Sequence, residues 1–188
     1  MILEGIVTTI SAEGDINIAP MGPRVDAATQ RFLLKPFNTA QTYHNLRAHG
    51  EGVLHVTDDV LLLARTALGQ FDPLPPLMPA RKVRGWVLSN ACRFYEFRVT
   101  NIDDREERVS IDVEVVHRET LRDFFGFNRA KHAVVEAAIL ATRTNFLPLD
   151  EIEAEYAKLA VIVQKTGGEQ EKEAFEFLRE HVARLKRS

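Results

Sequence analysis

Between Arg93 and His117 the side chains alternate with a period of two. Tyr95, Phe97 and Val99 interleave with Phe94, Glu96 and Arg98. After a mixed-charge turn at residues 103–107, Val109, Ile111, Val113 and Val115 interleave with Ser110, Asp112 and Glu114. Successive side chains of a strand point to opposite faces, so this stretch predicts an antiparallel hairpin with one face buried and one wet. A hairpin of that length needs further strands beside it, which commits the first part of the chain to a sheet or barrel wall.

Other runs supply those strands: Ile2–Ile10, Asp15–Ala19, Arg31–Lys35, Gly52–Thr57 and Val83–Leu88, beside the hairpin strands Arg93–Ile102 and Arg108–His117. Two short helices interrupt them. Asn38 or Thr39 can cap the first, which runs to His49 before Gly50; Asp58 or Asp59 opens the second, Val60–Leu68, closed by Gly69. Four prolines between Phe71 and Pro79 read as a stiff extended loop.

Near residue 125 the periodicity changes to that of helices. Arg129–Phe146 contains no Gly or Pro and sets Ala130, Ala133, Val134, Ala137, Ala138 and Ala141 on one small-residue stripe. Two more helices follow, with Ile152, Tyr156, Leu159 and Val163 on one face of the first, and Phe175, Leu178, Val182 and Leu185 on one face of the second.

A net charge of -3 gives no basic face for nucleic acid. With a single cysteine, Cys92, there is no intramolecular disulfide and no multi-thiolate zinc site. No apolar run approaches the ~20 residues of a membrane span. The expectation is a cytoplasmic protein with no membrane or nucleic-acid partner. Cys92 and Trp86 read as core residues rather than as a reactive thiol and a ligand platform.

The phosphate-loop, dinucleotide, zincin and nucleophile-elbow motifs are absent. His132 and Glu136 stand four apart on a helix, but no third ligand accompanies them, so no metal is expected. Residues 15–45 are more informative. Asp15–Ala19 reads as a strand leaving its sheet at Pro20-Met21-Gly22, where exposed amides could meet a flat heteroaromatic ring. Arg31–Lys35 then delivers a cation to a helix start, where the amides of Ala40, Gln41 and Thr42, the hydroxyls of Thr39 and Thr42, and Lys35 could form an anion site. A capped helix beside a solvated lysine fits the same residues.

The succession Asn17–Gly22, Lys35-Pro36-Phe37-Asn38-Thr39, Thr42-Tyr43-x-Asn45-Leu46 and Gly52–Asp59 resembles the FMN-binding split β-barrel of flavin reductases and pyridoxamine-phosphate-oxidase-like proteins. With Asn128–Ala137 and Ala141-Thr142-Arg143 included, nearly the whole chain is similar to an uncharacterised family of small flavin-binding split-barrel proteins known mainly from archaea. The resemblance implies an α+β fold: a Greek-key split β-barrel over residues 1–125 that binds flavin, with a helical extension over 126–188 packed on it. It implies FMN as cofactor, with Asn17, Ala19, Pro20 and Met21 flanking the ring and Lys35, Thr39, Gln41 and Thr42 holding the phosphate. Asn128, Arg129 and His132 are candidates for flavin or substrate contact, or simply a helix start. The implied protein is a homodimer with flavin at or near the subunit interface, an oxidoreductase acting on an unidentified small molecule. The alternatives are a flavin carrier or sensor without turnover, and a barrel that binds a pterin-like or other phosphorylated heterocycle in one-carbon cofactor metabolism. No catalytic residue is assigned.

Overall fold

A computed structural model describes residues 1–185 of the 188. The chain divides into two compact units, residues 1–57 with 74–124, and residues 58–73 with 125 onward.

The first unit contains strands β1 (Gly5–Ile10), β2 (Ile16–Met21), β3 (Arg24–Val25) and β4 (Arg31–Leu34), helix α1 (Gln41–His49), and strands β5 (Glu51–Val56), β6 (Leu77–Pro79), β7 (Trp86–Leu88), β8 (Arg93–Asp103) and β9 (Ser110–Thr120). Seven of these strands form one curled antiparallel sheet in the order β2-β1-β5-β8-β9-β4-β3, a half-barrel of the α+β class expected from the sequence. Its inner face gathers Val7, Phe32, Leu34, Leu54, Tyr95, Phe97, Ile111 and Val113, closed by Tyr43 and Leu46 of α1.

The other face carries the antiparallel β6–β7 ribbon. There Val53 and Phe94 pack against Val83 and Val87. The hairpin therefore does not keep one wet face along its whole length. Phe94, Tyr95, Glu96 and Phe97 are all buried, because the ribbon covers the side that the alternation left to water. The proline-rich segment is likewise more than a loop, since Leu77–Pro79 pairs with Trp86–Leu88. Trp86, expected in the core, is 38% exposed, whereas Cys92 is buried.

Three polar groups fasten the ribbon. The fully buried Glu96 carboxylate accepts the backbone N–H groups of Arg81, Lys82 and Val83. His55, also fully buried, accepts the Leu88 N–H at Nε2 (3.0 Å), which leaves Nδ1 to donate to the Ile6 carbonyl (3.0 Å). The Thr8 hydroxyl donates to the Trp86 carbonyl. Two of these anchors end on β1, the strand behind β2.

The second unit holds α2 (Val60–Ala67), α3 (Arg129–Ala141), α4 (Leu149–Thr166) and α5 (Glu169–Leu185). The expected small-residue stripe is the buried face of α3, but α3 stops at Ala141 rather than at Phe146. Residues 142–146, with Thr and Asn among them, fold into turns instead. Lys131 joins three helix starts: its Nζ reaches the Asp58 carbonyl (2.7 Å) and Glu171 (2.7 Å), while Glu171 returns to the Gly168 N–H (2.8 Å) as in a capping box. Burial would raise the Glu171 carboxyl, yet these donors hold it below the usual carboxylate range. Among the described residues no helix is long and apolar enough to cross a membrane.

Candidate functional site

β2 is an edge strand, paired only with β1. The sequence suggested that the strand would leave the sheet at Pro20, but it continues to Met21. A proline cannot donate into a ladder, so an edge suits it when the missing N–H would face away from the neighbour. With a two-residue period, Ile16 and Ile18 then turn their backbone N–H and C=O groups to the same open side. Ala19 and Pro20 are half-buried there, and Met21 packs partly against the inner core.

From β2 a polar web runs inward to α1. Asn17 Nδ2 donates to the hydroxyls of Thr42 (3.0 Å) and Thr9 (3.3 Å); Asn45 Nδ2 donates to Thr9 (3.0 Å); Gln41 Nε2 donates to Asn45 Oδ1 (2.7 Å). Thr9, Thr42 and Asn45 are each at most 2% exposed. The hydroxyls of Thr9 and Thr42 act as acceptors in this web, so each keeps its own hydrogen to donate. Thr9 and Asn45 were absent from the residues expected at this site. Asn45, three residues beyond Thr42 on the same helix face, and the two threonines that break an otherwise apolar β1 were the signals for them.

The start of α1 is short of acceptors. The helix begins at Gln41 with Ala40 as N-cap and no side-chain cap, so neither Asn38 nor Thr39 plays that part. The Ala40 N–H, expected to be free, donates to the Phe37 carbonyl (3.0 Å) in a turn that sets the helix start one residue later. Among the described residues no group accepts the N–H of Gln41 or Thr42, and the first turn contains no acidic residue. Two unspent amides at a positive helix end, with the Thr42 hydroxyl beside them and Thr39 exposed just before, form a donor set suited to a dianion such as a phosphate ester.

Lys35 is half-buried at the end of β4, where its charge helps to hold Asp103 low; the main cause there is the Arg105 side-chain hydrogen bond, which brings Asp103 to about 2. Among the described residues no hydrogen bond ties the Lys35 side chain to α1. A second cation stands nearer that connection than the sequence indicated. Arg108 Nη1 donates to the Lys35 carbonyl (2.8 Å), and its guanidinium lies 4.2 Å from the centre of the Phe37 ring.

Asn128, Arg129 and His132 lie in the second unit. Asn128 caps α3, accepting the Lys131 N–H (3.1 Å) and donating to the Thr166 carbonyl (3.1 Å). Arg129 is exposed, and His132 meets the Phe127 ring edge-on.

Two family models match the chain: the N-terminal domain of a protein of unknown function (DUF447) over residues 3–122, and a protein of unknown function (DUF447) over residues 128–180. No curated protein matches it. Among solved structures it is similar to an FMN-bound DUF447 protein from Methanosarcina mazei, with 21% identity over 96% of this chain and 94% of that one, at a TM-score of 0.82. An FMN-binding protein from Thermus thermophilus with bound 1-cyclohex-2-enone shares 12% identity over 63% and 70% of the two chains, at a TM-score of 0.55. The styrene monooxygenase flavin reductase of Pseudomonas putida shares 11% over 63% and 80%, at a TM-score of 0.51.

Proposed function

The chain belongs to the DUF447 family, and from that premise we propose that it is an FMN-binding flavoprotein whose cofactor sits between the open edge of β2 and the start of α1. The observation that carries this reading is the pair of unaccepted amides on Gln41 and Thr42, at a helix start with no acid of its own. In this reading those amides and the hydroxyls of Thr39 and Thr42 hold the phosphate. Asn17, Ala19, Pro20 and Met21 present the edge that meets the ring, and Thr9 and Asn45 fix Asn17 in place. Lys35 and Arg108 add positive charge along the same connection. The FMN-bound DUF447 structure from Methanosarcina mazei supports the cofactor.

When bound, FMN supplies the redox chemistry, and the chain supplies orientation and electrostatics. Backbone amides on the β2 edge are suited to stabilise negative charge on a reduced ring. The activity in this reading is that of an oxidoreductase on a small cytoplasmic molecule. An edge strand with free backbone groups invites a partner, and the reading includes a homodimer with the flavin at or near the subunit interface.

The test is a phosphate-specific loss. Thr39→Ala with Thr42→Ala should weaken FMN by roughly 100-fold or more, since each charge-assisted contact contributes about 1.5 kcal/mol or more. Riboflavin, which lacks the phosphate, should change little, because Asn17 keeps Thr9 as an acceptor. Equal losses for both ligands in a flavin-fluorescence titration would place the phosphate elsewhere.

A further inference from the structure

Across the sheet from β2, the β8–β9 ladder carries a second polar group of side chains. In its register Arg93 faces Thr120 and Tyr95 faces Arg118, and all four side chains stand on the same face of the sheet. Tyr95 fixes which face this is: its ring packs edge-on against Phe32 (5.4 Å) in the inner core, whereas Phe94 packs on the opposite face, under the ribbon. The four residues, together with Phe94 and Glu119, line an open hollow of about 350 Å³, the size of a compact ligand site.

Its donors are unspent. Arg93 Nε is buried with no partner, and the Arg93 guanidinium makes no hydrogen bond or ion pair among the described residues. Arg118 gives one bond, Nη1 to the Ala28 carbonyl (3.3 Å), and keeps the rest of its fork. The Tyr95 hydroxyl has no protein partner among the described residues. Glu119 also lines the hollow, but its carboxylate is engaged by other partners. By register it points to the other face, where it lies 3.2 Å from Arg81 and 3.7 Å from His117. Two guanidinium forks with a phenol and a threonine hydroxyl match a planar or tetrahedral oxyanion.

We propose that Arg93, Tyr95, Arg118 and Thr120 form a binding site for the carboxylate or phosphate group of a small organic anion. The assignment goes beyond the flavin site. These residues lie on β8 and β9, and anion binding there does not require FMN. One cross-strand row, Ala19–Val7–Leu54–Tyr95–Arg118, connects the two places. At about 4.8 Å per strand, Tyr95 stands roughly 14 Å from Ala19 along the sheet.

The experiment is calorimetric titration of the full chain with benzoate and with inorganic phosphate, at ionic strength held constant with chloride. At least one probe should saturate a site that persists in Thr39→Ala with Thr42→Ala, where the phosphate site of α1 is weakened, and the stronger of the two in that background identifies the acid as carboxylate or phosphate. In that background Arg118→Ala and Arg93→Lys should each weaken that probe at least tenfold. Arg118 is exposed, so its variant carries the test if the Arg93 variant does not fold. The proposal is overturned if neither probe saturates, if binding survives Arg118→Ala, or if it follows the threonines of α1 instead.

Discussion

Glu96→Ala is expected to lower the stability of the sheet unit by roughly 3 kcal/mol, among the largest single losses this chain should show. The wild-type carboxylate takes three backbone N–H groups, from Arg81 (2.8 Å), Lys82 and Val83 (3.1 Å), and it does so with no exposure to water. Alanine removes all three bonds and leaves the Val83 donor in a buried position. Glu96→Gln should fall between, since one amide oxygen still accepts while its NH2 faces a donor. The measurement is denaturant unfolding followed by Trp86, the single tryptophan, which lies in the ribbon that Glu96 anchors. A loss below about 1 kcal/mol for the alanine variant would mean that the 81–83 turn is held by something else.

The second large effect depends on pH and comes from His55. Burial is the main cause that pushes its pKa down, to about 4 from an ordinary value of 6.5, against the opposing bond to the Ile6 carbonyl. Protonation would set a second N–H against the Leu88 N–H that Nε2 now accepts. The unfolded chain therefore binds a proton more readily than the folded one between these two values, and stability falls as pH falls. The His55 contribution is complete above about 6.5 and is lost progressively toward about 4. A difference of that size corresponds to ~3 kcal/mol. Denaturant midpoints measured from pH 7.5 to pH 4 should show this decline in the wild type. In His55→Gln the chain should be less stable at neutral pH, with a curve flatter by about one proton across the same window. An equally steep wild-type and variant curve would assign the decline to other groups.

Most of the fold was legible because its signals are local. The alternation from Tyr95 to Val115 marked β8 and β9, and the alanine stripe marked the buried face of α3. What escaped depends on distant partners. Glu96 looked like a wet-face residue because nothing in its own strand reveals the ribbon that buries it. Pro20 looked like a strand end because only the sheet order shows that β2 is an edge. Asn38 and Thr39 are good capping residues, yet the turn from Phe37 to Ala40 passes over both. Asn17, Gln41 and Thr42 stand in one hydrogen-bonded web, which the structure extends through Thr9 and Asn45. Arg108 was hidden because it reaches the connection before α1 from the β8–β9 link more than seventy residues later, through an isolated bridge to Phe37, the Lys35 carbonyl and the Phe37 ring.

The central claim is that a phosphate-bearing flavin is held by the start of α1. It is tested most directly by titrating the purified wild-type chain with FMN and with riboflavin, following flavin fluorescence and the visible absorption of the complex. The account predicts saturable binding with FMN preferred by at least tenfold, or a yellow protein that releases FMN on denaturation. Equal affinity for the two flavins, or a colourless chain indifferent to both, would contradict it.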